Sequence, residues 1–279
     1  MIDLHTHSTV SDGSDPPERI PELAAAAGCR AVALTDHDRL DGLAGAAARA
    51  GELGVEFVPG VEVSCDVPSG TMHLLVYWVQ EGEGPLQDAL RGLQDERSDR
   101  NRRMVERFAT LGLPVSEADL REQAGGEGIG RPHAAAVLVR KGVVSSVQEA
   151  FDVWLAKGRP AYVEKGRLLP AEAIDLARTT SGVPVLAHPL SLGLPPADLG
   201  SRIGEWKAMG LCGLEATYGR YSAEDRVGLA ELARRTDLVA TGGSDYHGTY
   251  KPDLEVGVGR GDLDVDDAAL TLLAGRRTA

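Results

Sequence analysis

The sequence predicts an α/β barrel of seven strands carrying a helical insertion. Short apolar runs alternate with Ala-rich segments of helical period, a pattern that places parallel strands inside and helices outside. Seven such runs suit a barrel better than a small open sheet. One long polar, helical stretch interrupts them.

The first run is MIDLH. RAVALTDHD follows the helical PERIPELAAAAG, VEFVPGVEVS follows LDGLAGAAARAGELG, and TMHLLVYWV comes next. From about Pro85 to Val163 the chain reads as helices: LQDALRGLQDERSDRNRRMVERFATLG, SEADLREQAGG, RPHAAAVLVRKG and SVQEAFDVWLAKG, with PAYVE the next strand-like piece. The first of these helices is expected to serve the barrel too. That puts the barrel at 1–97 and 165–279 and a substrate-capping insertion at 98–164. GVPVLAHP, GLCGLEATYG and DLVATGGSDYHG resume the alternation, and EVGVGR is a candidate for a short closing strand. GLPPADLG reads as a loop.

At 279 residues the chain is long for one domain, yet α/β barrels reach this size. Its formal charge of −13, from 29 basic and 42 acidic residues, argues against a footprint for long duplex nucleic acid. The same balance does not argue against a short or mononucleotide ligand held in a local basic pocket. Cys29, Cys65 and Cys212 are widely spaced, so they read as buried thiols in a reducing compartment rather than a disulfide framework or zinc ribbon. No secretory leader and no apolar stretch of bilayer length is visible, so a cytoplasmic protein without membrane contact is expected. Oligomeric state leaves no signal.

Six of the seven histidines fall at or near the end of an expected strand, or inside one: His5, His7, His37, His73, His188 and His247. Asp12, Glu62 and Asp245 belong to the same elements. In a barrel, the C-terminal strand ends meet at one mouth, so residues far apart in sequence become neighbours. Any one of them alone reads best as a structural side chain. Together, so many imidazoles and carboxylates would be costly without compensating cations. His nitrogen and carboxylate oxygen suit Mn, Fe or Zn.

DLHTHSTVSDG, TDHD, GVEVS, the AHP of VLAHP and GGSDYHG, in that order, resemble the PHP (polymerase and histidinol phosphatase) family over nearly the whole chain. RPHAAAVLV and SVQEAF…KGRPAYV resemble its subgroup acting on nucleotides and short oligonucleotides, which has a helical insertion at this place. The resemblance implies a distorted seven-stranded barrel of TIM-like (β/α)7 form with up to three divalent metal ions. It implies that His5, His7, Glu62 and Asp245 hold one ion, and that Glu62 bridges to a second held also by His73 and His188. Asp12, His37 and His247 would hold the third. The acid at Asp3 is expected to orient a ligating imidazole. Asp36 and Asp38 are expected to be supporting loop acids.

Clustered divalent ions lower the pKa of bound water and neutralise phosphoryl charge, so a metal-activated hydroxide attacking a phosphoester is the expected chemistry. His188, Asp245 and a metal-bound water are the candidates for protonating the leaving oxygen. Arg131 and His133 precede an Ala-rich helix and are candidates for a pocket holding a non-reacting 5′-phosphate. Lys157, Arg159 and Arg220 are weaker candidates. ERSDRNRRMVER reads as a solvated helix face. The expected activity is hydrolysis of a nucleoside 3′,5′-bisphosphate at its 3′-phosphate, or 5′-3′ exonuclease action on short 5′-phosphorylated oligonucleotides. The alternatives are a histidinol-phosphate-type phosphomonoesterase and a non-catalytic metal-binding regulatory or editing module.

Overall fold

The computed structural model describes residues 1–125, 128–164 and 166–277. Its strands are β1 (Ile2–Asp3), β2 (Ala31–Leu34), β3 (Glu56–Cys65), β4 (Met72–Tyr77), β5 (Val183–Leu186), β6 (Gly213–Tyr218) and β7 (Val239–Gly243). They form one sheet in the order β1 to β7. The sheet curls almost to closure, and backbone bonds tie its two edges at the mouth. Leu4 N–H donates to Gly242 O at 3.2 Å and Asp245 N–H to His5 O at 2.8 Å.

The helices are α1 (Arg19–Ala26), α2 (Leu43–Leu53), α3 (Pro85–Thr110), α4 (Glu117–Ala124), α5 (Arg131–Arg140), α6 (Val147–Ala150), α7 (Pro170–Thr179), α8 (Pro196–Met209), α9 (Ala223–Arg235) and α10 (Ala268–Ala274). A π-helical turn, Phe151–Leu155, continues α6. None of the described helices is long and apolar enough to cross a membrane.

The expectation of an all-parallel sheet fails at β4, which runs antiparallel to both β3 and β5. Only residues 66–71 separate β3 from β4, too few for a parallel crossover, which needs a dozen or more. The reversal has a functional consequence. His73, second in β4, lies at the strand's beginning and therefore beside the C-terminal ends of the other strands. EVGVGR forms an isolated bridge, Glu255 with Gly259, rather than a strand, and PAYVE is turn and irregular chain.

Alternation along the strands divides the buried apolar residues. Val32 and Leu34 join the layer beneath the helices with Ile20, Ala46 and Ile174, whereas Ala31 and Ala33 join Ile2, Val58, Leu75 and Val185 on the opposite face. Glu62, two pairs beyond Val58 in β3, is on that inner face. A third core, with Met104, Phe108, Leu120, Ala135, Leu138 and Leu155, lies within α3 to the π-turn. Helix α3 serves two cores: Leu86, Leu90 and Leu93 pack under the barrel helices, and Met104 and Phe108 in the third core.

Candidate active site

The loops after β1, β2, β5 and β7, together with β3 and the start of β4, bring nine donor residues to one mouth. His5 Nε2 and His7 Nε2 are 3.1 Å apart. Both face Glu62 Oε2, at 3.4 and 3.2 Å, and Asp245 Oδ1, at 3.5 and 3.3 Å. The other oxygen of Glu62 meets His73 Nδ1 at 2.8 Å and His188 Nε2 at 3.0 Å. Asp12 Oδ1 lies 3.3 Å from His247 Nε2, and Asp12 Oδ2 lies 3.8 Å from His37 Nε2. Among the described residues, three overlapping groups have donor atoms mutually within 4.8 Å: His7, Asp12, His37 and His247; His5, His7 and Asp245; His37, Glu62 and His73.

The backbone is held in unusual conformations at this mouth. His188 has φ 26° and Asp245 has φ 55°, both in the left-handed region that non-glycine residues rarely adopt. Such strain persists where surrounding contacts over-determine it. Here Glu215 Oε2 accepts from His188 N–H at 2.6 Å, and His5 O accepts from Asp245 N–H. Gly243, ending β7, lets the chain pass His5 closely. A Cβ there would lie 2.4 Å from His5 Cβ and 2.5 Å from His5 N.

Burial disfavours the charged forms of His5, His7, Asp12, Glu62 and Asp245, yet opposite charges outweigh it there. Glu215, Glu62 and Asp245 overcome the burial of His5 and hold its pKa well above the usual range. His7 is raised to about 9 against its burial by Asp245 and Glu62. Despite burial, Asp12 is held well below the usual carboxylate range by His37 and His247, Glu62 by His37, His73 and His5, and Asp245 by Lys251 and His5. Burial pushes His37 and His247 down, so they favour the neutral form that ligates.

Divalent cations fit this donor set. Paired imidazole nitrogens converge on the same carboxylate oxygens. His37 Nδ1 is buried without a well-aligned hydrogen bond, although Glu62 Oε2 lies 3.0 Å away. A shared cation would satisfy these nitrogen and oxygen donors together.

The supporting acids differ from expectation. Asp3 does not orient an imidazole: it accepts from the backbone N–H groups of His5, Ser244 and Gly257 at 3.2, 2.9 and 2.8 Å, pinning the β1–β7 seam. The imidazole is oriented by Glu215, which sequence reading missed and which has 0% exposure. Its Oε1 lies 2.9 Å from His5 Nδ1. The available signal was a carboxylate within an otherwise apolar strand, GLEATY. Asp36 accepts from Ser8 N–H and from the Ser8 and Ser11 hydroxyls. Asp38 accepts from Ser64 N–H and from Arg97 at 2.6 Å.

A cleft of about 760 Å³ opens from Asp12, His37, His73 and His247 toward the insertion. Arg97, Arg100, Arg131, Arg167, Arg220 and Lys251 line it. Arg97 and Arg100 correct the reading of ERSDRNRRMVER as a solvated face. They continue the buried stripe of α3 that runs Leu86, Leu90, Leu93, Arg97, Arg100, Met104, Phe108. Arg100 is 3% exposed, and its Nε has no partner among the described residues. Burial, then the like charges of Arg97 and Arg131, push its pKa well down, a penalty that an anion in the cleft would relieve.

The other candidates separate. Arg131 lines the cleft, donates to Leu155 O at 3.4 Å and lies over the Tyr162 ring. Arg220 lines it too, paired with Asp253 at 2.6 and 3.1 Å. His133 is buried and absent from the cleft lining. Its Nδ1 accepts from Gly130 N–H at 2.9 Å, capping α5, and its ring meets Tyr250 edge-on. Lys157 and Arg159 occupy an exposed turn away from the lining.

The barrel and its donor cluster define a metal-dependent hydrolase, and known proteins give the class a family. The PHP domain model matches residues 3–111. A 3′,5′-nucleoside bisphosphate phosphatase from Chromobacterium violaceum is 33% identical over 257 residues, 92% of this chain and 90% of that protein. A 5′-3′ exoribonuclease from Haemophilus influenzae is 32% identical over 248 residues, 88% of this chain and 89% of that one. The structure of an amidohydrolase from Chromobacterium violaceum, with bound SO4 and no metal, matches with TM-score 0.89 and 30% identity over 99% of this chain and 97% of that one. The chain belongs to the PHP domain family, in its metal-dependent phosphoesterase subgroup with a helical insertion.

Proposed function

We propose that the protein hydrolyses the 3′-phosphoester of a small nucleotide whose 5′-phosphate is anchored in the arginine-lined cleft. The substrate is a nucleoside 3′,5′-bisphosphate, or a short 5′-phosphorylated oligonucleotide attacked from its 5′ end. In both cases O3′ of the anchored nucleotide leaves. They differ in whether the phosphoryl carries a further nucleotide.

One observation carries this reading: a single cleft joins the donors Asp12, His37, His73 and His247 to the buried guanidinium of Arg100 and to Arg131. Two anionic ends of one molecule can thereby be engaged together. The 33% and 32% identical relatives, whose names specify a nucleoside bisphosphate phosphatase and an exoribonuclease, support the same substrate class.

Up to three Mn, Fe or Zn ions are assigned to the donors. One set is His5, His7, Glu62 and Asp245, the second is Glu62, His73 and His188, and the third is Asp12, His37 and His247. When bound, such ions supply Lewis acidity toward the phosphoryl group and its attacking water. Glu215 holds His5 in orientation. Tyr218 OH and Lys251 engage Asp245 Oδ2, leaving Oδ1 toward His5 and His7. His188 and Asp245 are already engaged through both polar side-chain atoms, His188 by Glu62 and Ser191, which favours holding roles over protonating the leaving oxygen. Arg100 and Arg131 neutralise and orient the distal phosphate.

The buried guanidinium of Arg100, with Arg131 beside it, disfavours the ammonium group of a histidinol-phosphate-type substrate. The filled donor set disfavours a non-catalytic module. Metal-loaded protein is expected to hydrolyse 3′,5′-bisphosphates or short 5′-phosphorylated oligonucleotides, and failure on both, with intact aryl phosphatase activity, contradicts the nucleotide assignment.

A further inference from the structure

We infer that Gln148, Phe151 and Asp152 form the wall that reads the nucleobase, favouring bases that offer N–H donors. This inference rests on the nucleotide reading above and deepens it.

The backbone gives the first observation. The π-turn Phe151–Leu155 follows α6 without a break, and such turns are rare and recur at functional sites. Gln148 of α6 and Phe151 and Asp152 of the turn line the cleft. Gln148 Nε2 donates to Asp152 Oδ1 at 3.0 Å. Asp152 Oδ2 and Gln148 Oε1 then remain as acceptors for a ligand.

Charge gives the second. The cleft is lined by six cations, yet Asp152 forms no ion pair among the described residues. The neighbouring cleft acid Asp253, by contrast, is taken by Arg220 and Arg260 at 2.6 and 2.7 Å. A carboxylate exposed on the cleft wall would repel a phosphate. It suits a neutral N–H donor.

Shape gives the third. The chain has only three Phe, and one of them, Phe151, lines this cleft while packing against the insertion core. A flat ring there offers a face to a base. Arg131, which anchors the 5′-phosphate in the proposed function, donates to Leu155 O at the end of the same π-turn. One nucleotide can therefore reach both.

Guanine presents N1–H and N2–H side by side, a match for a carboxylate. Adenine and cytosine present one exocyclic amine each. The N3–H of uracil lies between two carbonyl oxygens that Asp152 repels.

The test compares guanosine and uridine 3′,5′-bisphosphates on wild type, Asp152→Asn and Phe151→Leu, with an aryl phosphate as reference. Wild type is expected to favour guanosine by about tenfold in kcat/KM, expressed in KM. D152N is expected to bring that ratio within about twofold. F151L should raise KM for both nucleotides. Metal-free wild type should bind guanosine 5′-monophosphate more tightly than uridine 5′-monophosphate by calorimetry, and D152N should lose the difference. Equal wild-type ratios, a preference that survives in D152N, or a uniform loss that includes the aryl phosphate overturns the inference. If wild type hydrolyses the aryl phosphate but neither bisphosphate nor short oligonucleotides, the nucleotide reading itself fails.

Discussion

His5 Nδ1 lies 2.9 Å from Oε1 of Glu215, a fully buried carboxylate on β6 whose other oxygen accepts the backbone N–H of His188. One side chain thus orients a proposed ligand and supports the strained backbone of a second. Glu215→Gln is expected to lower metal affinity by about 10- to 100-fold, since such outer partners fix the tautomer and ring orientation of ligating histidines. Competition with a chelator during metal titration measures it. Unchanged affinity would remove Glu215 from the site.

Arg100 is expected to trade stability for binding. It is a buried cation beside Arg97 and Arg131 whose Nε has no partner among the described residues. Arg100→Met should therefore leave the unfolding midpoint of the ligand-free protein unchanged or raised. It should also raise KM for a nucleoside 3′,5′-bisphosphate by about 10- to 100-fold, the worth of hydrogen bonds to a charged group. Turnover of an aryl phosphate should change little. A stability loss with unchanged KM would make Arg100 a structural residue.

His133 gives a pH dependence with a defined sign. Burial pushes it down to about 4, whereas in an unfolded chain it titrates near 6.5. The folded state binds fewer protons, so its contribution is fully present above about 6.5 and is lost as pH falls through about 4, up to about 3 kcal/mol. His133→Gln keeps an acceptor at this helix position and removes the titration. Denaturant unfolding at about pH 7 and about pH 4 should show a larger loss in wild type than in H133Q. Equal losses would contradict the assignment.

Gly243→Ala tests how tightly the barrel seam fixes the site. The added Cβ would press on His5 Cβ and N, and overpacking against backbone should cost about 2–3 kcal/mol of stability. Metal affinity should fall with it, because His5 and Asp245 share this seam. Calorimetric unfolding and metal titration read both effects.

Much of the site was legible because strand-end residues converge in a barrel whatever the details of packing. DLHTHSTVSDG, TDHD, GVEVS and GGSDYH could be placed at one mouth from the order of their elements alone. The direction of β4 was not legible from alternation, which has no polarity. Its only sign was the short connection from Cys65 to Met72. Glu215 carried no spacing pattern, being one acid in an apolar strand. Arg97 and Arg100 were hidden by composition, since a run of mixed charge reads as solvated. Their positions on the Leu86-to-Phe108 stripe carried the information, because a charge on an apolar stripe must face a counter-charge or a ligand.

The central claim is that one cleft binds a distal phosphate while a 3′-phosphoester reacts at the donor cluster. Its most direct test compares Mn-loaded protein on a nucleoside 3′,5′-bisphosphate and the matching 3′-monophosphate. The expected result is a kcat/KM higher for the bisphosphate by about 10-fold or more, a difference abolished in Arg100→Met and Arg131→Ala. Equal kcat/KM values for the two substrates in the wild-type protein would contradict it.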